Sequence, residues 1–301
     1  MGSKWPLVGL AAAVATLVAA AVVGAAPTRP FPVTLKAANG YVTVDKRPVR
    51  VLSLSPTATE TLFAIGAGAQ VVAVDNQSNY PVGAPMTKLS GYRPNAEAVA
   101  AYQPDLVVTS SAANNLIPAL DKLHIPVLLE PSAKSIGDAY VQMRQLGFAT
   151  GHDAEARKLV SQMKAKIDAA VTATPKPKSV SVYHELSPDF YSATSKTFIG
   201  RVYALFGIGN IADAADKTGS GYPQLSAEYV IASNPSLIVL ADTKCCGQTA
   251  ASVKGRAGWS SIRAVQRGNV VAASDDVTSR WGPRIVDFVR VVAAAIRRAG
   301  R

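Results

Sequence analysis

Residues able to do covalent or metal chemistry are few in this chain and far apart. It has three histidines, His124, His152 and His184, and none stands at the short spacing with which imidazoles close on a zinc ion. The carboxylates Asp75, Glu185, Asp275 and Asp276 offer material for an acid pair, but spacing alone does not make a glycosidase. There is no G-x-S-x-G elbow and no G-x-x-x-x-G-K-[ST] loop. The run GAGAQV (66–71) begins like a dinucleotide fingerprint. It follows a helical pattern instead of opening one, and its third glycine is missing, so it reads as helix-end punctuation. No catalytic constellation and no resident metal or cofactor site is expected, and the chain reads as a binder and not as an enzyme.

The two cysteines are neighbours, Cys245 and Cys246 in ADTKCCGQ. With no third thiol available, an oxidising compartment would close them on each other in an eight-membered ring; the alternative is a reduced pair serving as small hydrophobes. The formal charge is +11, which admits an anionic partner, a membrane surface or a basic soluble protein. Lysines and arginines are spread along the chain without a basic helix or an interleaved aromatic stripe, so nucleic acid is not an expected partner.

Residues 1–26 hold one Lys followed by an uncharged apolar stretch that runs from Trp5 to small residues near Ala26. This is a signal peptide or an uncleaved N-terminal membrane anchor, and it places the mature chain outside the cytoplasm, periplasmic or at the cell surface. Residues 27–134 then read as an α/β lobe. A hairpin over 31–46 turns at Asn39-Gly40. RVLSLS, QVVAVD, DLVVTS and IPVLLEP read as strands separated by the helical runs TATETLFAIGAG, AEAVAAY and LIPALDKLH. Thr57 or Thr59 is the expected cap of the first of these helices. Alternating strands and helices predict a parallel sheet.

From 135 to 174 the pattern is helical without strands. It contains a candidate capping box at Thr150–Asp153 and an apolar periodicity through Leu159, Val160, Met163, Ile167 and Val171. This predicts one long linking helix. Residues 175–301 restart the first lobe: NAEAVAAYQPDLVV (95–108) recurs as SAEYVIASNPSLIV (226–239), and TLFAIGAGA (61–69) as VYALFGIGN (202–210). The fold expected is α/β, two related lobes with parallel sheets joined by a single long helix. Ligands of such sheets gather outside the carboxyl ends of the strands, and the loops there are rich in Tyr, Trp, Ser, Asn, Asp and Arg, as a pocket with a few polar anchors requires.

The segments RVLSLSPTATETLFAIGAGAQVVAVDNQSNYP, GYRPNAEAVAAYQPDLVV and YPQLSAEYVIASNPSLIVLAD resemble exported substrate-binding proteins of ABC importers, in the group serving cobalamin, ferric siderophores and haem. The resemblance covers residues 31–298. It implies two Rossmann-like lobes bridged by a helix and a monomeric carrier that delivers its cargo to a dimeric permease. It also implies one exposed acid per lobe that pairs with permease arginines, and Glu97 and Glu228 hold the matching positions. In the cleft it nominates Asp276, Arg280 and Trp281, with Tyr222, Arg93 and its neighbour Tyr92 as further ligand contacts; His184, after a strand, is a candidate for haem iron or a hydrogen bond. Nothing in the family pattern requires Cys245 and Cys246, and no lipid-anchor cysteine is present near the N-terminus. Two other classes compete with the carrier. One is a membrane-tethered ligand-sensing or interaction module on the same fold. The other is an enzyme acting on a cleft-bound ligand, which would show as turnover dependent on Asp276 or His184.

Overall fold

The computed structural model describes residues 1–2, 30–177 and 179–299. The expected export segment therefore lies almost wholly outside the described residues, and among those described no helix is long and apolar enough to cross a membrane.

The first lobe opens with an antiparallel hairpin, β1 (Val33–Ala37) and β2 (Gly40–Val44). The left-handed φ of Gly40, 109°, lets the turn close. Next come β3 (Val51–Leu54), α1 (Pro56–Ala64), β4 (Val71–Val74), α2 (Ala96–Ala100), β5 (Leu106–Thr109), α3 (Leu116–Asp121) and β6 (Val127–Leu129). The helices α4 (Ile136–Thr150) and α5 (Asp153–Thr172) lead into the second lobe. That lobe begins with β7 (Ser181–Glu185), α6 (Phe198–Ala204), β8 (Gly209–Asn210), α7 (Ala227–Ser233) and β9 (Leu237–Leu240). It finishes with α8 (Thr243–Cys246), α9 (Ala250–Lys254), α10 (Arg263–Gln266), β10 (Val270–Ala272), α11 (Asp275–Ser279) and α12 (Ile285–Ala299).

The two sheets are parallel and share one topology. Their strand orders, β4-β3-β5-β6 and β8-β7-β9-β10, both place the first strand of the sheet second and the second strand at the edge. The registers agree as well. Leu52 lies beside Val107 in the first sheet and Tyr183 beside Ile238 in the second, at the same offset of 131 residues that separates Glu97 from Glu228. The recurring sequence pair is thus a repeated structural unit. Each sheet is covered on both faces, since alternate residues of a strand point to opposite sides: Leu106 and Val108 enter one cluster and Leu52 and Val107 another. In the second lobe, Val182 and Val239 face the linking helices while Tyr183 and Ile238 face Trp259. Burial on both faces explains why these strands read as continuous apolar runs.

Two local expectations are corrected. The cap of α1 is Ser55, whose side chain accepts from Ala58 N, because Pro56 supplies the first helical residue; Thr57 and Thr59 lie inside the helix. Residues 135–174 form two helices and not one. Gly151, at φ 76°, ends α4 in the left-handed region, and the Thr150 hydroxyl donates back to Leu146 O at 2.7 Å instead of capping α5. The helices pack tightly at Gly147, where a Cβ would stand 2.4 Å from Ala156 Cβ. Both lobes share this pair: Ala139, Met143, Val160, Met163 and Ile167 belong to the second lobe's core, while Leu146, Ala149 and Ala156 belong to the first's. Moving one lobe against the other must therefore disturb close-packed side chains, which resist continuous deformation.

Candidate functional site

The carboxyl ends of both sheets meet at a seam, and the side chains there form a polar network across it. Glu60 sits on α1 in the first lobe and is 2 % exposed. It accepts from Arg280 Nη1 at 2.9 Å and from Arg284 Nε at 2.9 Å and Nη2 at 2.5 Å, both arginines coming from the segment between α11 and α12. Arg280 also donates to Asn79 Oδ1 and Gln77 O of the first lobe, and to Asp276 Oδ1 on α11 at 2.7 Å. Asp276 Oδ2 in turn accepts from Asn79 Nδ2 and Lys244 Nζ. Burial opposes ionisation of Asp276, but Arg280, Lys244 and Asn79 outweigh it and hold its carboxyl below the usual range. The Arg284 guanidinium lies over the Tyr80 ring, 4.4 Å from its centroid. Beside this network the Trp281 indole donates to Gln142 Oε1 of α4 at 2.8 Å.

Asp276, Arg280 and Trp281 are thus brought together, but their polar atoms are engaged in joining the lobes. Arg280 is only 8 % exposed, with both terminal nitrogens of its guanidinium held by protein acceptors. Arg93 contrasts with it. It lies on the exposed loop before α2, and among the described residues its guanidinium has neither a hydrogen bond nor an ion pair. Its neighbour Tyr92 is 83 % exposed, and Tyr80 on the same β4–α2 connection is also exposed. From the second lobe, Tyr191 and Tyr222 stand exposed on the connections that follow β7 and β8. Gly91 sits against the strand ends, since a Cβ there would meet Leu54 O at 2.4 Å and Asp75 Oδ2 at 2.5 Å. This fixes Tyr92 at the carboxyl edge of the first sheet.

His184 is corrected outright. It lies on the face of β7 turned to the second lobe's core, with no exposed surface, between the rings of Tyr203 and Phe288. Its Nδ1 is 2.6 Å from the Tyr203 hydroxyl, and burial drives its pKa down to about 3. It is a neutral core histidine and reaches no ligand. Among the described residues no group of three or more His, Cys, Asp or Glu converges in a way that could hold a metal ion.

Cys245 and Cys246 are joined by a disulfide on the exposed helix α8. Asp275 fastens that helix to α11, accepting from Thr243 Oγ1, Lys244 N and Cys245 N. Glu97 and Glu228 occupy the same helical position in equivalent helices, two residues after caps made by Asn95 and Ser226. Both are exposed. The backbone N–H of Glu228 and the Ser226 hydroxyl hold the Glu228 carboxyl below its ordinary pKa.

Sequence reasoning missed Glu60, Arg284, Asn79 and Gln142. Glu60 did leave a signal, as the lone charge in the helix TATETLFAIGAG. Its partners lie 220 and 224 residues away, a distance over which spacing carries no information.

Two equivalent α/β lobes on a shared helix pair, meeting at the carboxyl ends of their strands, define a bilobal solute-binding architecture. Residues 51–277 match the model of a family described as periplasmic binding protein, and the chain belongs to that family, whose members are extracytoplasmic substrate-binding proteins rather than enzymes. It is 33% identical over 280 residues to an uncharacterised ABC transporter substrate-binding lipoprotein, YvrC, of Bacillus subtilis, covering 89% of this chain and 87% of the relative. It is 32% identical over 275 residues to a cobalamin-binding protein of Halobacterium salinarum, covering 88% and 74% respectively. Among solved structures, a possible iron-binding (periplasmic solute-binding) protein from Staphylococcus epidermidis superimposes with a TM-score of 0.71 at 26% identity, over 83% of this chain and 99% of that one.

Proposed function

We propose that the chain is the substrate-binding component of an ABC importer and that its cargo is a corrinoid of the cobalamin type. The observation that carries the ligand class is the division of labour in the cleft. Glu60 pairs with Arg280 and Arg284, and Arg280 also pairs with Asp276, while Tyr80, Tyr92, Tyr191 and Tyr222 present aromatic surface from both lobes. Aromatic faces with few free charges suit a broad ring fringed by neutral amides better than a highly anionic chelate. The cobalt would travel inside its own macrocycle, as cargo. The free guanidinium of Arg93 favours a second reading, an anionic chelate such as a ferric siderophore or haem.

Delivery follows from the duplication. Glu97 and Glu228 give each lobe one exposed carboxylate at an equivalent place, the pattern a pseudo-twofold carrier needs to dock on a twofold permease bearing arginines. Exposed ion pairs contribute only about 0–1 kcal/mol each, so they set orientation and encounter more than affinity.

The test is tryptophan-fluorescence titration with cyanocobalamin, haem and ferric siderophores. Trp281 stands at the seam between the lobes, hydrogen-bonded to Gln142, and Trp259 in the second lobe's core. Saturable quenching by cyanocobalamin below the micromolar range is expected. If a ferric siderophore or haem binds more tightly, the corrinoid assignment falls, and if none binds, so does the carrier assignment.

A further inference from the structure

Glu130 follows β6 at the carboxyl edge of the first sheet and is 4 % exposed. Neither a hydrogen bond nor an ion pair reaches its side chain among the described residues, and its Oε1 is wholly buried. With Ser55 and Thr57 at the start of α1, Gln142 of α4 and Trp281 of the second lobe, it lines a cavity of about 10 Å³, room for one water at most. The cavity thus lies where both lobes and the helix pair meet. Of the other polar groups there, Ser55 Oγ accepts from Ala58 N, Thr61 donates to Thr57 O, and Gln142 accepts from Trp281 and donates to Pro131 O, while the Thr57 hydroxyl has no protein partner among the described residues. Among the described residues lining the cavity, Glu130 alone has a fully buried side-chain oxygen that no protein group reaches. Buried polar groups rarely go unpaired, and those that do call for a physical reason.

We propose that Glu130 is a ligand-recognition residue: its carboxyl pairs with a carbonyl or primary amide on the rim of the cargo, presented at the mouth of this cavity. This rests on the carrier reading above and names a contact within it. Burial pushes the Glu130 carboxyl up to about 8, so at neutral pH it keeps its proton and offers one donor and one acceptor. A primary amide complements that pair with two hydrogen bonds. No other titratable side chain lines the cavity. On the elements packed around it, Glu60 is neutralised by Arg280 and Arg284 beyond Gly282. Asp138 accepts from Lys134 N, and Arg144 faces an outer groove beside Leu35.

Protonation and binding are linked with a definite sign. A cargo that accepts the Glu130 proton binds fully below pH 8 and loses up to about tenfold in affinity per pH unit above it. The free protein follows the same group: its folded pKa is raised above the unfolded value of 4.5, so this contribution to stability is complete below about pH 4.5 and declines as pH rises to 8.

The experiment titrates wild-type protein, Glu130→Gln and Glu130→Leu with cyanocobalamin from pH 6 to 9.5 by tryptophan fluorescence, with Tm measured on the same samples without ligand. Wild type should hold its affinity to about pH 8 and then weaken. Glu130→Gln, which keeps a donor and an acceptor, should bind within about threefold of wild type and lack that decline. Glu130→Leu should bind at least about tenfold more weakly at pH 7 yet melt higher, because it removes an unpartnered buried polar group. Unchanged affinity in Glu130→Leu, or a decline above pH 8 that survives in Glu130→Gln, overturns the inference and leaves the carrier reading standing. Failure of wild type to bind cyanocobalamin at any pH removes the corrinoid reading and this inference with it.

Discussion

Replacing Glu60 by Gln tests whether the lobe seam is held by the buried ion network. In the folded protein Glu60, Arg280, Arg284 and Asp276 balance in charge, with side-chain exposures of 1, 10, 17 and 21%. The Gln side chain has nearly the same shape but leaves two guanidiniums facing one carboxylate. Removing one partner of a buried pair costs about 3–5 kcal/mol, since the remaining charge stays desolvated. The lower end applies here, because Arg280 keeps Asp276 and Arg284 keeps its stacking on Tyr80. With a urea m-value of about 3 kcal/mol/M for a chain of this size, a loss of about 3 kcal/mol lowers the unfolding midpoint by about 1 M. Urea titrations followed by tryptophan fluorescence read this directly, and a cycle with Arg284→Met isolates the pair from the rest of the network. A shift below about 0.3 M, or additive single and double variants, would show that water screens these charges as on an open surface, and the seam would then be held by the helix pair alone.

Three further outcomes follow from the same geometry. Charge reversal at both proposed docking positions, Glu97→Lys with Glu228→Lys, should abolish delivery to the membrane permease in transport assays while ligand quenching stays unchanged; lost quenching would place these acids in the pocket. His184→Leu should lower stability by about 1–3 kcal/mol, because it strands the buried Tyr203 hydroxyl, and should leave cargo affinity at its wild-type value. A weakened complex would restore His184 to the site. The Cys245→Ser/Cys246→Ser variant should melt within a few degrees of wild type, since a cross-link between adjacent residues removes little loop entropy from the unfolded chain; a large drop in Tm would show that α8 supports more than its own exposed turn.

Much of this architecture was legible before folding. Apolar runs of four or five residues, broken by Gly and Pro and alternating with helical periodicity, report local requirements of backbone and burial that each segment carries itself. The repeated Asn95–Val108 and Ser226–Val239 pattern revealed two equivalent lobes, and the structure places both in one topology and register. The exposed first-turn acids Glu97 and Glu228 were legible for the same reason, since a capped first turn with an exposed Glu is set by a handful of neighbouring residues. The break of the linking stretch at Gly151 was a local signal too, outweighed by the apolar periodicity on either side of it.

Tertiary structure alone decided what the cleft residues do. Arg280 and Asp276 were nominated as ligand contacts by the family resemblance, yet the fold sets Glu60 against Arg280 from 220 residues away, and a charge pair depends on distance in space. His184 follows the same logic: it read as a loop residue after a strand but lies on β7, and which face of the strand meets the core is settled only when the second lobe packs against the linking helices. The isolation of Glu130 is the clearest case, because the lack of a partner belongs to the whole folded environment and to no stretch of sequence.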